Sequence, residues 1–446
     1  MTLRIAVIGS GPAAFFAADH LMHRDGLDIT VDILERLPVP YGLVRFGVAP
    51  DHQKIKSVIK GFAKTAAHER VRFFGNVDVG RTVKLADLQR HYHAVIFATG
   101  AQTDRRLGIP GEDLMGSHPA TEFVAWYNGH PDFQHCTFDL SGKRVAVVGV
   151  GNVAVDIARV LCRTQAELAA TDITDAALEA IMASGIEEVA MLGRRGPAEA
   201  AFTNPEVREL GELPGADIIV RADEVVDEPL TPPDRTTAKK LEILREFAQR
   251  APEGKPKRLA IRFCVSPEAL IGDETGHVRA LRVMRNRLEL KAGRIVAVPT
   301  GQVEEMPVDL VFRSVGYHGV AIADLPFDER SGTVPNHKGR VKGMVGCYVA
   351  GWIKRGPSGV IGTNKADASE TVEAVCADAP TLPTPPAPDP AAALATLQAA
   401  CGQLVTWQDW ERLDAAEIAA GSPLGRPRVK VVRVADMLGS GAPSAP

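Results

Sequence analysis

The strongest constraint on this chain is a pattern that occurs twice. The apolar run Leu3-Arg4-Ile5-Ala6-Val7-Ile8 leads into Gly9-Ser10-Gly11-Pro12-Ala13-Ala14, followed by a small-residue stretch of helical spacing through residue 21. Arg144-Val145-Ala146-Val147-Val148 leads in the same way into Gly149-Val150-Gly151-Asn152-Val153-Ala154 and a helix-like stretch at 155–161. Both read as strand, glycine turn, helix with the spacing G-x-G-x-x-A. The glycines permit a tight turn and let a pyrophosphate reach the backbone, and the closing alanine lets helix and strand pack closely. Unpaired N–H groups and the helix dipole favour an anion at the helix start. One such motif is a weak signal. Two in the same context predict an α/β chain with two doubly wound, Rossmann-like dinucleotide-binding domains.

The rest of the chain supports a parallel core. Short apolar runs at 93–100, 308–316 and 347–352 close on or near glycine, as buried strands do. Residues 166–182 and 238–250 carry helical spacing. The proline-rich stretch 376–392 predicts a linker of polyproline character, with a helical region at 391–420 carrying Trp407 and Trp410, and fraying of the last few residues. The expected boundaries assign 1–103 and 319–446 to one domain and 104–318 to another inserted into it.

The two cradles differ in the charge at the end of the next strand. The strand Thr30-Val31-Asp32-Ile33-Leu34-Glu35 ends on a carboxylate, suited to ribose hydroxyls and repulsive to a 2′-phosphate. Glu35 thus favours FAD or NAD. The matching strand of the second motif, Glu188-Val189-Ala190-Met191-Leu192-Gly193, leads into Arg194-Arg195. Two guanidiniums there suit a 2′-phosphate through forked, charge-assisted hydrogen bonds, so NADP(H) is expected. The interval from Gly149 to Arg194 exceeds the usual spacing of about 20 residues, which requires an inserted helix. One site of each kind implies a flavoprotein that takes hydride from a nicotinamide and passes electrons on.

Composition narrows the acceptor. Six scattered cysteines in 446 residues show no C-x-x-C, no zinc spacing and no cluster near either motif, which speaks against a thiol relay, an iron–sulfur domain or a disulfide framework. No metal site is expected. The net charge of −4 argues against a general nucleic-acid binder, and no apolar run reaches the ~18–20 residues of a membrane span. With the first motif starting at Gly9, no room is left for a leader, and a cytoplasmic protein is expected.

Several stretches resemble the adrenodoxin-reductase family of ferredoxin–NADP⁺ reductases. These are residues 38–52 (Pro38-Val39-Pro40-Tyr41-Gly42-Leu43-Val44-Arg45-Phe46-Gly47-Val48-Ala49-Pro50-Asp51-His52), Gly193-Arg194-Arg195-Gly196-Pro197, and Glu206-Val207-Arg208-Glu209-Leu210. The run from Gly351-Trp352-Ile353-Lys354-Arg355-Gly356 to Asn364 and the C-terminal Gly425-Arg426-Pro427-Arg428 fit as well. The tryptophan at 352 stands where many relatives carry an aspartate.

The resemblance implies transfer of electrons from NADPH through FAD to an acidic ferredoxin-type protein. It implies FAD contacts at Ala13, Glu35, Leu43, Val79, Trp352, Gly359, Val360 and Ile361, the last three opening a helix, beside Gly9, Gly11 and Ala14 of the first motif. It implies NADP contacts at Gly151, Asn152, Val153, Ala154, Arg194, Arg195, Glu206 and Gly359, beside Gly149 of the second motif. His52, Glu209 and Trp352 match the family's positions near hydride transfer, where they would orient the nicotinamide rather than move a proton. Docking of a ferredoxin needs local positive charge, for which Arg208, Lys239, Lys240 and Arg245 are candidates, although Glu242 and Glu246 interrupt them. A diaphorase, oxidase or monooxygenase with the same two sites is the alternative enzyme reading. A nucleotide-binding redox sensor is the non-enzymatic one.

Overall fold

The computed structural model describes residues 2–227 and 229–439. The expected fraying at the C-terminus concerns residues outside that range. The described chain forms two compact α/β units, one of residues 2–103, 128–134 and 317–439, the other of 104–127 and 135–316.

The first unit is built on an eight-stranded sheet. Its parallel centre runs Cys347–Val349, Ala94–Phe97, Leu3–Ile8, Ile29–Glu35, Val71–Gly75. Strand residues here are apolar on both faces, because helices cover both. Ile5 and Val7 point into one core cluster, and their neighbours Ala6 and Ile8 point into another. Short antiparallel strands close the edges: Asn336–His337 and Arg340–Val341 on one side, Val405–Thr406 paired with Val71–Gly75 on the other.

The C-terminal part departs from the sequence reading. The region 391–420 is not one helix: Pro390–Cys401 and Trp407–Gly421 are separated by the edge strand. Nor is 376–392 a free spacer, since its first residues finish the helix Thr363–Asp378 and the prolines lie pinned to the sheet's end. The Ala387 N–H donates to the Arg90 carbonyl, His91 Nδ1 meets the Ala387 carbonyl at 2.8 Å, and Arg72 donates to the Pro390 carbonyl. Prolines cannot donate, but their carbonyls accept well, and basic side chains of the sheet supply the donors.

Residues 128–134 belong to this unit because their side chains are bound in it. Lys430 Nζ donates to Asn128 Oδ1 at 3.2 Å, Arg36 pairs with Asp132 at 2.6 Å, and the His130 ring lies 4.7 Å from that of Phe46.

The second unit carries a six-stranded, all-parallel sheet in the order Ser117–Pro119, Leu310–Arg313, Arg144–Val148, Glu188–Leu192, Lys257–Arg262, Ala216–Val220. The long interval before Arg194 is filled by Asn152–Cys162 and two short helices, Gln165–Ala169 and Asp175–Met182, where one helix over 166–182 was expected. Added to the sheet is an antiparallel meander, Val265–Gly272, Val278–Lys291 and Arg294–Pro307, that the sequence reading missed. The alternation Arg287-Leu288-Glu289-Leu290-Lys291 and the Ala292-Gly293 turn are its signals.

All six cysteines are free.

Candidate functional site

In the first unit three turns converge on the start of the helix Pro12–Met22. Gly9 has φ +99°, and a Cβ there would stand 2.7 Å from the Ala98 carbonyl oxygen, so only glycine fits. Gly11, the N-cap, has no atom within 4 Å of where its Cβ would be and no side-chain cap. The turn is thus pressed against the sheet on one side and open on the other, as a phosphate cradle must be. A Cβ at Gly42 would stand 3.2 Å from the Gly11 Cα, and one at Gly351 would stand 2.6 Å from the Ala13 Cβ. The small side chain of Ala13 therefore serves the contact with Gly351, while Ala14 is fully buried against the sheet. Leu43 comes directly after Gly42 and opens the helix Leu43–Phe46.

Glu35 sits at its strand's end with both oxygens engaged. Oε2 accepts from the Ser10 N–H at 2.9 Å and the Ser10 hydroxyl at 2.6 Å, and Oε1 accepts from the Leu37 N–H at 3.0 Å. Burial pushes its pKa up against the opposing pull of these hydrogen bonds and Arg36. Oε2 is saturated by its two donors, and Oε1 retains a lone pair for a further donor such as a ribose hydroxyl. Ser10, which sequence reasoning passed over as a variable motif position, fixes the carboxylate. A hydroxyl between the two glycines was its only signal.

Trp352 is anchored on its polar edge and packs against a second ring. Nε1 donates to the Ser358 carbonyl at 3.2 Å, and the ring lies 5.3 Å from that of Tyr317. The preceding Gly351 N–H donates to Asp367 Oδ2 at 2.5 Å, and Lys354 pairs with the same carboxylate at 3.2 Å. Asp367 is another residue the sequence reading missed. Gly359, Val360 and Ile361 do not open the helix. They form the turn before it, the helix begins at Thr363, and the Val360 N–H is already given to Thr363 Oγ1 at 3.1 Å. Val79 pairs with Val83 in an isolated bridge and packs against the other core cluster of this unit. His52 stands at the N-cap of the short helix Gln53–Lys56.

The second unit repeats the geometry of the first. Gly149 has φ +142°, and a Cβ would stand 2.1 Å from the Ser314 carbonyl oxygen; at Gly151 nothing lies within 4 Å. The helix Asn152–Cys162 starts with no side-chain cap. Asn152 does not face the open side alone: its Oδ1 accepts from the Thr203 N–H at 3.0 Å, and the Ala201 and Phe202 N–H groups donate to the Val150 carbonyl. A second loop is thereby tied to the glycine turn. Ala154 is fully buried beneath, and Val153 is half-buried.

Arg194 and Arg195 are exposed, and among the described residues no carboxylate pairs with either. Glu206 is buried and accepts from Arg159 at 3.3 Å, with Arg159 also bound to Asp156 at 2.7 Å and 3.8 Å from Glu209. Arg159 is fully buried and has no exposed edge, so these acids compensate its charge. A single arginine in an apolar helix face was its only signal in the sequence.

The docking candidates are corrected by their surroundings. Lys240 is buried, with its ammonium donated to the Ala200 carbonyl and lying 5.6 Å from the Phe202 ring centre. Lys239 pairs with Glu242 at 2.6 Å, and Arg245 Nε donates to the Val225 carbonyl. Lys240 and Arg245 are thus spent on the helix's seat, while Arg208 and Lys239 stay exposed, Lys239 in its pair with Glu242.

Residues 3–193 match the pyridine nucleotide-disulphide oxidoreductase family. The chain is 48% identical to the NADPH-ferredoxin reductase FprA of Mycobacterium tuberculosis, over 97% of this chain and 98% of that protein. The chain belongs to the adrenodoxin-reductase family of ferredoxin–NADP⁺ reductases. The mitochondrial NADPH:adrenodoxin oxidoreductase of Homo sapiens, another family member, is 42% identical over 98% of this chain and 91% of its own length. A solved structure of Mycobacterium tuberculosis FprA in complex with NADPH superposes with a TM-score of 0.94, at 46% identity over 98% of this chain and 99% of that one. Family membership thus agrees with the paired glycine turns.

Proposed function

We propose that the protein transfers electrons from NADPH to a ferredoxin-type iron–sulfur protein through bound FAD. One observation carries this reading. Two glycine turns of the same geometry differ in their neighbours, a seated carboxylate at Glu35 beside one and two unengaged guanidiniums at Arg194 and Arg195 beside the other. A carboxylate accepts ribose hydroxyls and repels a 2′-phosphate; paired arginines attract one.

The first unit fits FAD: Gly9 and Gly11 open the cradle, Ala13 and Ala14 line the helix start, and Glu35 offers the remaining lone pair of Oε1. Leu43, Val79, Trp352 and the 359–361 turn are its remaining proposed contacts. When bound, FAD takes up hydride and releases electrons to the acceptor. The second unit would hold NADPH through Gly149, Gly151, Asn152, Val153, Ala154, Arg194 and Arg195. The unit of residues 2–103, 128–134 and 317–439 is thereby assigned to FAD, and that of 104–127 and 135–316 to NADPH. Glu206, bound to Arg159, would act by fixing the loop after the second cradle, and Gly359 would contribute backbone alone. His52, Glu209 and Trp352 would orient the nicotinamide, since hydride transfer needs alignment and no proton carrier.

The proposed partner is an acidic ferredoxin, with Arg208 part of its docking surface. Among the described residues no helix is long and apolar enough to cross a membrane, and the free cysteines suit a reducing compartment, the proposed cytoplasm. The test is steady-state oxidation of NADPH against NADH with a panel of ferredoxins, with the flavin identified by chromatography. Preference for NADH, absence of FAD, or failure with every ferredoxin would overturn the reading.

A further inference from the structure

The turn that carries Arg194 and Arg195 is held from the antiparallel meander, not from the glycine motif. Asn286 lies on the strand Val278–Lys291 and is 9% exposed. Its Nδ2 donates to the Arg194 carbonyl at 2.9 Å and to Ser266 Oγ at 2.7 Å. A carbonyl oxygen can only accept, so the amide nitrogen must be the atom that faces it. Both amide hydrogens are then spent.

The next carbonyl is tied to the same place. The Asn286 N–H donates to the Cys264 carbonyl at 2.7 Å, and the Cys264 N–H donates to the Arg195 carbonyl at 3.0 Å. Cys264 adopts φ +55°, the left-handed conformation that turns the chain out of Lys257–Arg262 toward Val265–Gly272. Asn286 itself lies just past an irregularity in register against the strand Arg294–Pro307, and such bulges re-aim side chains. The strand is packed close: a Cβ at Gly196 would stand 2.9 Å from Leu288 Cδ1.

Both guanidiniums project from this pinned backbone without a carboxylate partner. Long, free side chains bind tightly only when their roots are fixed, because each immobilised rotor costs entropy. We infer that Asn286 is a positioning residue for coenzyme specificity, holding the backbone under Arg194 and Arg195 so that their guanidiniums meet a nucleotide 2′-phosphate. The inference rests on the reading of Arg194 and Arg195 as a phosphate clamp.

The test is calorimetric titration of the FAD-loaded, full-length protein with 2′,5′-ADP and with 5′-AMP, which differ only in the 2′-phosphate. Three variants are compared: Asn286→Ala, Ser266→Ala and the double Arg194→Ala/Arg195→Ala. Asn286→Ala is expected to weaken 2′,5′-ADP about 5–10-fold, and Ser266→Ala about 2-fold, with 5′-AMP weakened less than either. A general loosening of the unit would weaken both ligands alike, and that result overturns the inference. If the double arginine variant loses 2′,5′-ADP selectively while Asn286→Ala does not, the clamp stands and the role of Asn286 falls. If the double variant binds 2′,5′-ADP as the parent does, the clamp itself falls. Should Asn286→Ala fail to fold, Ser266→Ala decides by the same selectivity.

Discussion

Glutamine in place of Glu417 should loosen the C-terminal helix from the short helix Leu43–Phe46, which starts beside the first glycine turn. The Glu417 side chain is fully buried on the helix Trp407–Gly421. It accepts from Arg45 at 2.9 and 2.5 Å, from Arg428 at 3.1 Å and from the Val431 N–H at 2.8 Å. Arg45 belongs to the helix Leu43–Phe46, which begins beside Gly42 and hence beside Gly11. Removing one partner of a buried ion pair costs about 3–5 kcal/mol, because the other charge stays desolvated and uncompensated. Arg428 keeps Asp414, so Arg45 alone is orphaned, which places the cost near the lower end, ~3 kcal/mol. At about 2–4 °C per kcal/mol, the melting temperature should fall by roughly 6 °C or more.

The effect has a pH signature. Burial opposes ionisation of Glu417, but Arg45, its hydrogen bonds and Arg428 outweigh it and hold the carboxyl below its ordinary value. Its contribution is therefore complete above the unfolded value of about 4.3 and is lost as pH falls through the lower folded value. The assay is thermal release of flavin monitored by fluorescence, for parent and Glu417→Gln, from pH 7 downward. A gap at pH 7 that closes in acid supports the reasoning. A gap below about 2 °C at pH 7, or one that persists unchanged in acid, refutes it.

Four further outcomes are expected. Gly151→Ala should leave the melting temperature within about 1 °C yet weaken NADP⁺ by more than tenfold in a titration, because its Cβ meets no protein atom and fills the phosphate's space; Gly149→Ala should lower stability as well, through the Ser314 carbonyl. His52→Ala should slow flavin reduction in single-turnover stopped flow, and an unchanged rate would leave His52 a structural role only. Burial, against the pull of Asp132, pushes the His130 pKa down to about 4, so stability should decline as pH falls from ~6.5 toward 4, by roughly 3 kcal/mol at most, and His130→Gln should flatten that slope in denaturant titrations. Arg208→Glu should slow reduction of an acidic ferredoxin and spare ferricyanide; equal loss with both acceptors would remove it from the docking surface.

Backbone geometry made part of this protein legible in its sequence. Gly9 and Gly149 carry positive φ against a neighbouring carbonyl, so no other residue can stand there, and the spacing to Ala13 and Ala154 is set by helix–sheet packing. Glu35 and Arg194-Arg195 were readable because a strand's end places the next residues beside the cradle. Other features depended on which donor met which acceptor across long sequence distance. The prolines of 383–390 read as a spacer, yet Arg72, Arg90 and His91 hold them. Lys240 read as a docking charge, yet the Ala200 carbonyl takes it inside.

The sequence by itself determined two glycine turns at helix starts and the sign of charge beside each, because local sterics and strand-end position are encoded within a few residues. Tertiary structure alone decided how those charges are aimed and spent. Ser10 seats Glu35, Asn286 ties down the arginine turn, and Arg159 engages Glu206. Such pairings are set by the approach of chain segments far apart in sequence, and the low dielectric of the interior makes every buried partner obligatory.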